Sequence, residues 1–372
     1  MSALIYSDDL EEPFRATISG LVERTYATYD SLREYMQSPW RGRPLDIQIV
    51  DDAALNAAVT GDGNADHIRI NRGALEQTFG TMLGLFSSQA FLPEVGDPTA
   101  EETPTDLADS GFPALPLVRS CDPDTGQRAV LIPQDKRRAS IAIALGELAL
   151  EFLLFHEVGH VVGGHLELLK AYGSRGFISE LGQRSSAPGE LIFSHVLECD
   201  ADAFACHHAH FVYTARDVGG PLREVAGTTA WEAEDFAMIA YLTAVGVLFR
   251  VLYPRAPVKI GAHKSSHPHP VVRSCLVASS ATARALFNRS ITLGTVDKIL
   301  GVTVRNIEEV WAALLLPGQN PEPAGVWARS VRNGAKQLFT AWGKARQTLE
   351  RHARLPRRWD DWDWSTGWEA SI

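Results

Sequence analysis

The sequence predicts a mostly helical α+β fold, many helices around a small sheet, and three observations predict it. Apolar residues recur at helical spacing in long stretches along most of the chain. Two short segments, Leu45–Val50 and residues 67–71, instead alternate apolar and polar residues with the two-residue period of a half-buried strand. Pro- and Gly-rich stretches separate these segments. At 372 residues, with 45% hydrophobic and 22% charged, the chain can bury a sizeable core without disulfide staples.

Taken in order, Leu10, Phe14, Ile18, Leu21 and Val22, continued by Tyr26, Tyr29, Leu32 and Tyr35, predict helix across residues 1–40, which Ser38-Pro39 ends. The two alternating segments follow, with the turn cluster Gly61-Asp62-Gly63-Asn64 between them, and pair into a small sheet. Residues 73–86 read as a helix. Residues 93–138 carry seven prolines and weak periodicity, which predicts a long loop with short elements around residues 115–118 and 129–132. Its position before an apolar helix suits either a lid or a plain insertion.

Residues 139–162 form the central helix, apolar on most sides and so buried. Gly163-Gly164 allows a bend, after which residues 165–170 resume the helical pattern, and residues 173–189 form a second loop. Further helices are predicted at 191–211, 230–253, 271–287, 297–316 and 327–354, the 271–287 helix opening after Ser265-Ser-His-Pro-His-Pro270. Three regions result: an N-terminal helix and strand region with its Pro-rich loop (1–138), a core (139–290), and C-terminal helices with a Trp-rich tail (291–372). The N-terminal region is expected to pack on the core.

The net charge of −10 argues against nucleic-acid binding. Four cysteines (Cys121, Cys199, Cys206, Cys275) contain no C-x-x-C pair, which points to a reducing, cytoplasmic setting. Residues 1–12 lack the basic and apolar parts of a secretory signal. Two apolar stretches are read as core helices, so no membrane span is expected. Residues 139–155 carry Glu147 and Glu151, and residues 236–249 are 14 long where a bilayer crossing needs roughly 20.

The chemistry gathers at His156-Glu157-Val158-Gly159-His160. Two His four apart lie on one helix face, where both can bind one Zn²⁺ while the Glu between them acts on water. Burying three such side chains on an apolar helix costs several kcal/mol unless something compensates them, and a metal does. Three residues are candidates for the third ligand. His165 follows the H-E-x-x-H-x-x-G-x-x-H pattern but misses its register by one, since residue 166 is Leu; Asp200 is the second. Glu198 is the favoured one, because Asp202 lies four residues on and can fix the free ring nitrogen of a ligand histidine.

His156-Glu-x-x-His160 with Gly164-His165, then Glu198-x-x-Ala201-Asp202, then His267-Pro268 with Arg273, resembles the gluzincin zinc metallopeptidases. Within that class it is most similar to the HtpX and CAAX-prenyl-protease group and to the phage-exclusion peptidases. The matching elements come in order and span about residues 139–273. The resemblance implies a zincin-like core, His156, His160 and Glu198 as zinc ligands, Glu157 as general base and acid, and Asp202 behind a ligand. His267 and Arg273 become candidates to stabilise the oxyanion, as do His269 and His195. The spanning helices of the membrane-embedded members have no counterpart among the segments read above.

The expected function is that of a soluble zinc-dependent endopeptidase acting on a protein or peptide substrate. Its rival is a zinc-binding regulatory or interaction protein whose protease activity is latent or lost. A basic face on the last helix (Arg329, Arg332, Lys336, Lys344, Arg346, Arg351) and the tail tryptophans Trp359, Trp362, Trp364 and Trp368 suit a protein partner or a simple cap.

Overall fold

Around one buried helix four other helices and one sheet are packed. The computed structural model describes residues 3–6, 11–38, 40–62, 64–101, 118–121, 128–172, 177–179, 188–215, 233–252, 267–287, 292–313 and 324–355. Its helices are α1 (Glu11–Arg33), α2 (Arg72–Phe86), α3 (Lys136–Val162), α4 (His165–Ala171), α5 (Pro188–Ala215), α6 (Ala233–Leu252), α7 (Pro270–Phe287), α8 (Leu293–Ala313) and α9 (Ala324–His352). Mostly helical with small sheets, the protein is α+β.

The buried helix is α3, started by Asp135, whose side chain accepts from the Arg138 backbone N–H at 2.9 Å. From Leu148 to Val162 every residue of α3 is buried, as its near-continuous apolar sequence requires. α1, α2, α5 and α6 pack around it. The α1 contact includes two polar links, Thr17 to Glu147 and Arg24 to Glu151, each 3.4 Å. These give the two acidic residues of the apolar stretch their partners at its edge.

Strands β2 (Leu45–Val50), β3 (Ala57–Gly61), β4 (Asp66–Asn71) and β7 (Phe177–Ser179) form a sheet in the order β2-β4-β3-β7. β2 and β4 run parallel, and the other pairs are antiparallel. Ile68, Ile70, Ala57 and Val59 are buried in the same core cluster as α3. A second sheet, in the order β1-β6-β5, is made by β1 (Ala3–Tyr6), β5 (Val118–Cys121) and β6 (Arg128–Ile132).

The observed strands correct the expected pair in physical terms. The helix expected from residue 1 begins at Glu11, because Ala3–Tyr6 pairs with Arg128–Ile132, and a four-residue strand carries no readable period. β3, Ala-Ala-Val-Thr-Gly, opens with three consecutive buried residues and so shows no alternation. β7 is only three residues long, inside the stretch read as a loop. It joins the sheet of residues 45–71, so that sheet crosses the boundary drawn at residue 138.

The segment from residue 87 to 101 is ordered by one side chain. Arg138 is fully buried and donates to five backbone carbonyls, those of Phe86, Ser88, Phe91, Leu92 and Val95, at 2.7–3.1 Å. Residues 102–117, the heart of the lid-or-insertion question, lie outside the described residues, as do the tail tryptophans and the side chains of Arg329 and Arg332. Lys336, Lys344, Arg346 and Arg351 are exposed on α9.

Residues 353–355, just past α9, reach back across the molecule. Arg354 is buried, bonding both oxygens of Asp66 and both of Glu167, with its guanidinium 4.4 Å over the Trp40 ring. Its backbone N–H donates to Val162 at 2.9 Å and its carbonyl accepts from Gln37 at 3.0 Å. Among the described residues, two helices are long and apolar enough to cross a membrane, Lys136–Val162 and Asp235–Leu252, with 72% and 89% of their apolar windows buried inside the protein. The second runs longer than the 14-residue apolar stretch that marked it.

Candidate metal centre

His156 and His160 sit on the last turns of α3, where the helix is surrounded, and Glu198, Cys199, Asp200 and Asp202 sit on α5. The two helices meet at a point fixed by small residues. A Cβ on Gly159 would lie 3.1 Å from the Cα and carbonyl oxygen of Ala201. Glu198 precedes Ala201 by three residues and Asp202 follows it by one, so this close crossing carries both carboxylates against the histidines.

His156, His160 and Glu198, all buried, present ligand atoms within 4.8 Å of one another and can hold a metal ion. Nε2 of His156 lies 3.0 Å from Nε2 of His160, and each is 3.5 Å from a Glu198 oxygen. Ligands on a tetrahedral ion with bonds near 2.0–2.1 Å stand about 3.3–3.4 Å apart. The observed separations bracket that value.

The opposite ring nitrogens say which atoms carry protons. His156 Nδ1 lies 2.9 Å from Asp202 Oδ1. Asp202 is itself held by Arg273, whose Nε and Nη2 donate at 2.8 and 2.7 Å. Burial pushes the Asp202 carboxyl up, yet Arg273 and the His156 hydrogen bond together hold it below the usual carboxylate value. An ionised Asp202 accepts only, so His156 carries its proton on Nδ1 and a lone pair on Nε2.

His160 follows the same logic through one more residue. His165 Nε2 lies 2.9 Å from Asp200 Oδ2, and His165 Nδ1 lies 2.8 Å from His160 Nδ1. A His165 that donates to Asp200 accepts at Nδ1, which places the His160 proton on Nδ1 and its lone pair on Nε2. Two lone pairs therefore face each other at 3.0 Å, beside a Glu198 Oε2 that is buried without a hydrogen-bond partner. Neutral side chains would not rest this way, and a cation between them resolves it. The buried carboxyl group of Glu198, beside both histidines, points to the same remedy.

The structure places the remaining expected residues as follows. Glu157, between the two histidines in sequence, is buried on α3. His165 and Asp200, weighed as third ligands, stand behind His160 instead. A one-residue slip in the pattern put His165 outside the ligand register, and Gly164 at φ 68° turns it back onto the outer face of His160. Arg273, considered for the oxyanion, is engaged with Asp202, stacks 4.3 Å over Phe249, and has Nη1 3.6 Å from Glu198. His267 is buried with Nε2 3.5 Å from Glu198 Oε2, His269 Nδ1 accepts from Val271 N–H at 3.3 Å, and His195 is half-buried on α5.

Reading the sequence missed Trp342, whose indole N–H donates to Asp200 Oδ1 at 3.4 Å from α9. No local signal could mark it, since its partner is 142 residues away. Comparisons with protein-family models, curated proteins and solved structures find no match to this chain.

Proposed function

We propose that the protein is a zinc-dependent peptidase, with a zincin-like arrangement around His156, His160 and Glu198. The supporting observation is the pair of imidazole lone pairs held face to face beside a carboxylate, with Glu157 between the two histidines in sequence. A His₂Glu donor set suits Zn²⁺ and leaves a coordination position open. Bound there, zinc acts as a Lewis acid and makes water a nucleophile near neutral pH.

The chain's own groups do the rest. Glu157 takes a proton from the attacking water onto its carboxylate and delivers it to the departing amine, working as base and then as acid. Asp202 and His165 hold the two imidazoles in the tautomer that keeps Nε2 proton-free. His267, buried beside Glu198, is the donor we assign to the developing oxyanion. The substrate class is a protein or peptide.

Glu157→Gln is the decisive variant. Comparing the proteomes of cells that express wild type or Glu157→Gln should reveal new N-termini only with wild type, while both proteins purify with stoichiometric zinc. A wild-type protein that purifies metal-free and stays so on zinc addition sinks the reading.

A second reading, a zinc-holding regulatory or interaction protein with latent or lost activity, draws support from the depth of the cluster. His156, Glu157, His160 and Glu198 are each 4% exposed or less. An unchanged phenotype in Glu157→Gln, with zinc retained, would favour it.

A further inference from the structure

His160 has the longest chain of support behind it, and that chain ends in the C-terminal helix. His160 Nδ1 meets His165 Nδ1 at 2.8 Å, His165 Nε2 meets Asp200 Oδ2 at 2.9 Å, and Asp200 Oδ1 accepts from Trp342 Nε1 at 3.4 Å. Each carboxylate oxygen of Asp200 thus faces a different element, α4 on one side and α9 on the other.

The far end of α9 grips the other flank of His165. A Cβ on Gly164, the residue before His165, would lie 1.8 Å from the His352 carbonyl oxygen. Arg354 N–H donates to Val162 at 2.9 Å, and the Arg354 guanidinium bonds Glu167 at 2.7 and 3.2 Å. Residues 162–167 are therefore held from outside by the end of α9, while Asp200 is held by its middle. The backbone that carries His165 and the acid behind its ring thus both depend on one helix.

We propose that α9 is the positioning element of the metal centre: Trp342 fixes Asp200, Asp200 fixes His165, and His165 aims Nε2 of His160 inward. The proposal rests on reading the His/His/Glu cluster as a metal site. Trp342, Asp200 and His165 act through His160, and so are positioning residues. Substituting such supporting partners typically weakens metal affinity 10–100-fold.

Trp342 also packs against Leu168, Val196, Leu197 and Leu349, so its hydrogen bond has to be separated from its packing. The experiment is a zinc titration of the full chain against a chromophoric chelator, paired with the visible spectrum of the Co²⁺ form. His165→Phe should weaken zinc binding roughly 10–100-fold and change the Co²⁺ spectrum. His165→Asn, which keeps an acceptor at the Nδ1 position, should recover part of that loss and covers the case in which the Phe variant misfolds. Trp342→Phe should cost roughly two- to tenfold, the worth of one long hydrogen bond. It should cost nothing further in an Asp200→Ala background.

Two results would overturn the proposal. One is zinc affinity and Co²⁺ spectrum in His165→Phe indistinguishable from wild type. The other is an equal loss from Trp342→Phe with and without Asp200, which would make Trp342 a packing residue. Because the readout is metal affinity, a wild type that binds zinc tightly but cleaves nothing overturns the peptidase reading and leaves these comparisons to be scored separately. A wild type with no zinc affinity overturns both.

Discussion

At the scale of the residue, the centre is a matter of where two protons sit. Asp202 and His165 accept the Nδ1–H of His156 and of His160, so both Nε2 atoms turn inward as acceptors. Asp202→Asn disturbs this at one atom. Oδ1 accepts from Arg273 Nη2 and faces His156 Nδ1, while Oδ2 accepts from Arg273 Nε, so either orientation of the amide sets an N–H against an Arg273 donor and removes the negative charge that holds the His156 proton on Nδ1. Zinc affinity should fall roughly 10–100-fold while the helices remain formed, as a chelator titration and circular dichroism would record. Glu198 in the cluster and Asp202 behind His156 were legible in the sequence because a four-residue spacing on a helix projects onto one face. The role of His165 was not, since it depends on a left-handed turn at Gly164 and on an acid from another helix. Arg138 was hidden for a related reason: its five partners are backbone carbonyls, which every sequence supplies. Arg138→Met strands those carbonyls in the interior, and should lower unfolding free energy by about 3–5 kcal/mol in a urea titration.

At the scale of the element, the site is made by two close contacts at glycines. Gly159 lets α3 meet α5, and Gly164 lets the end of α9 rest on the turn between α3 and α4. Gly164→Ala meets both a φ of 68° and a carbonyl 1.8 Å from the new Cβ, so the end of α9 must move. A loss above about 3 kcal/mol in unfolding free energy and a weaker hold on zinc are expected together. His208, on α5, gives a pH signature. It lies against Phe155 and Phe204 with ring centroids 5.9 and 4.2 Å away, and burial pulls its pKa down to about 4. The unfolded chain takes up this proton near pH 6.5 and the folded protein only near 4, so stability is full above 6.5 and declines as pH falls toward 4. His208→Phe should flatten that part of the urea-midpoint profile of the chelated protein. The long helices were legible because their periods repeat over many turns. The short strands were not, because three to five residues cannot display a period and their partners are distant in sequence.

At the scale of the whole molecule, metal and fold are linked. A ligand that binds only the folded state stabilises it by RT ln(1 + [L]/Kd), about 4 kcal/mol at a thousandfold excess over Kd. Chelation should therefore lower the melting temperature, zinc should restore it, and His160→Ala should show neither response in a thermal scan. A second linkage joins the distant parts of the chain. Arg354, fully buried, pairs with Asp66, also fully buried, across 288 positions. That pairing has a consequence for the order of events at the ribosome. A growing chain presents β4 and its Asp66 early, whereas residue 354 follows about 15–60 s later at usual elongation rates of 5–20 residues per second. Throughout that interval the turn before His165 lacks its cover and Asp200 lacks Trp342. The supports behind His160 are thus completed only once α9 has been made, long after the histidines themselves.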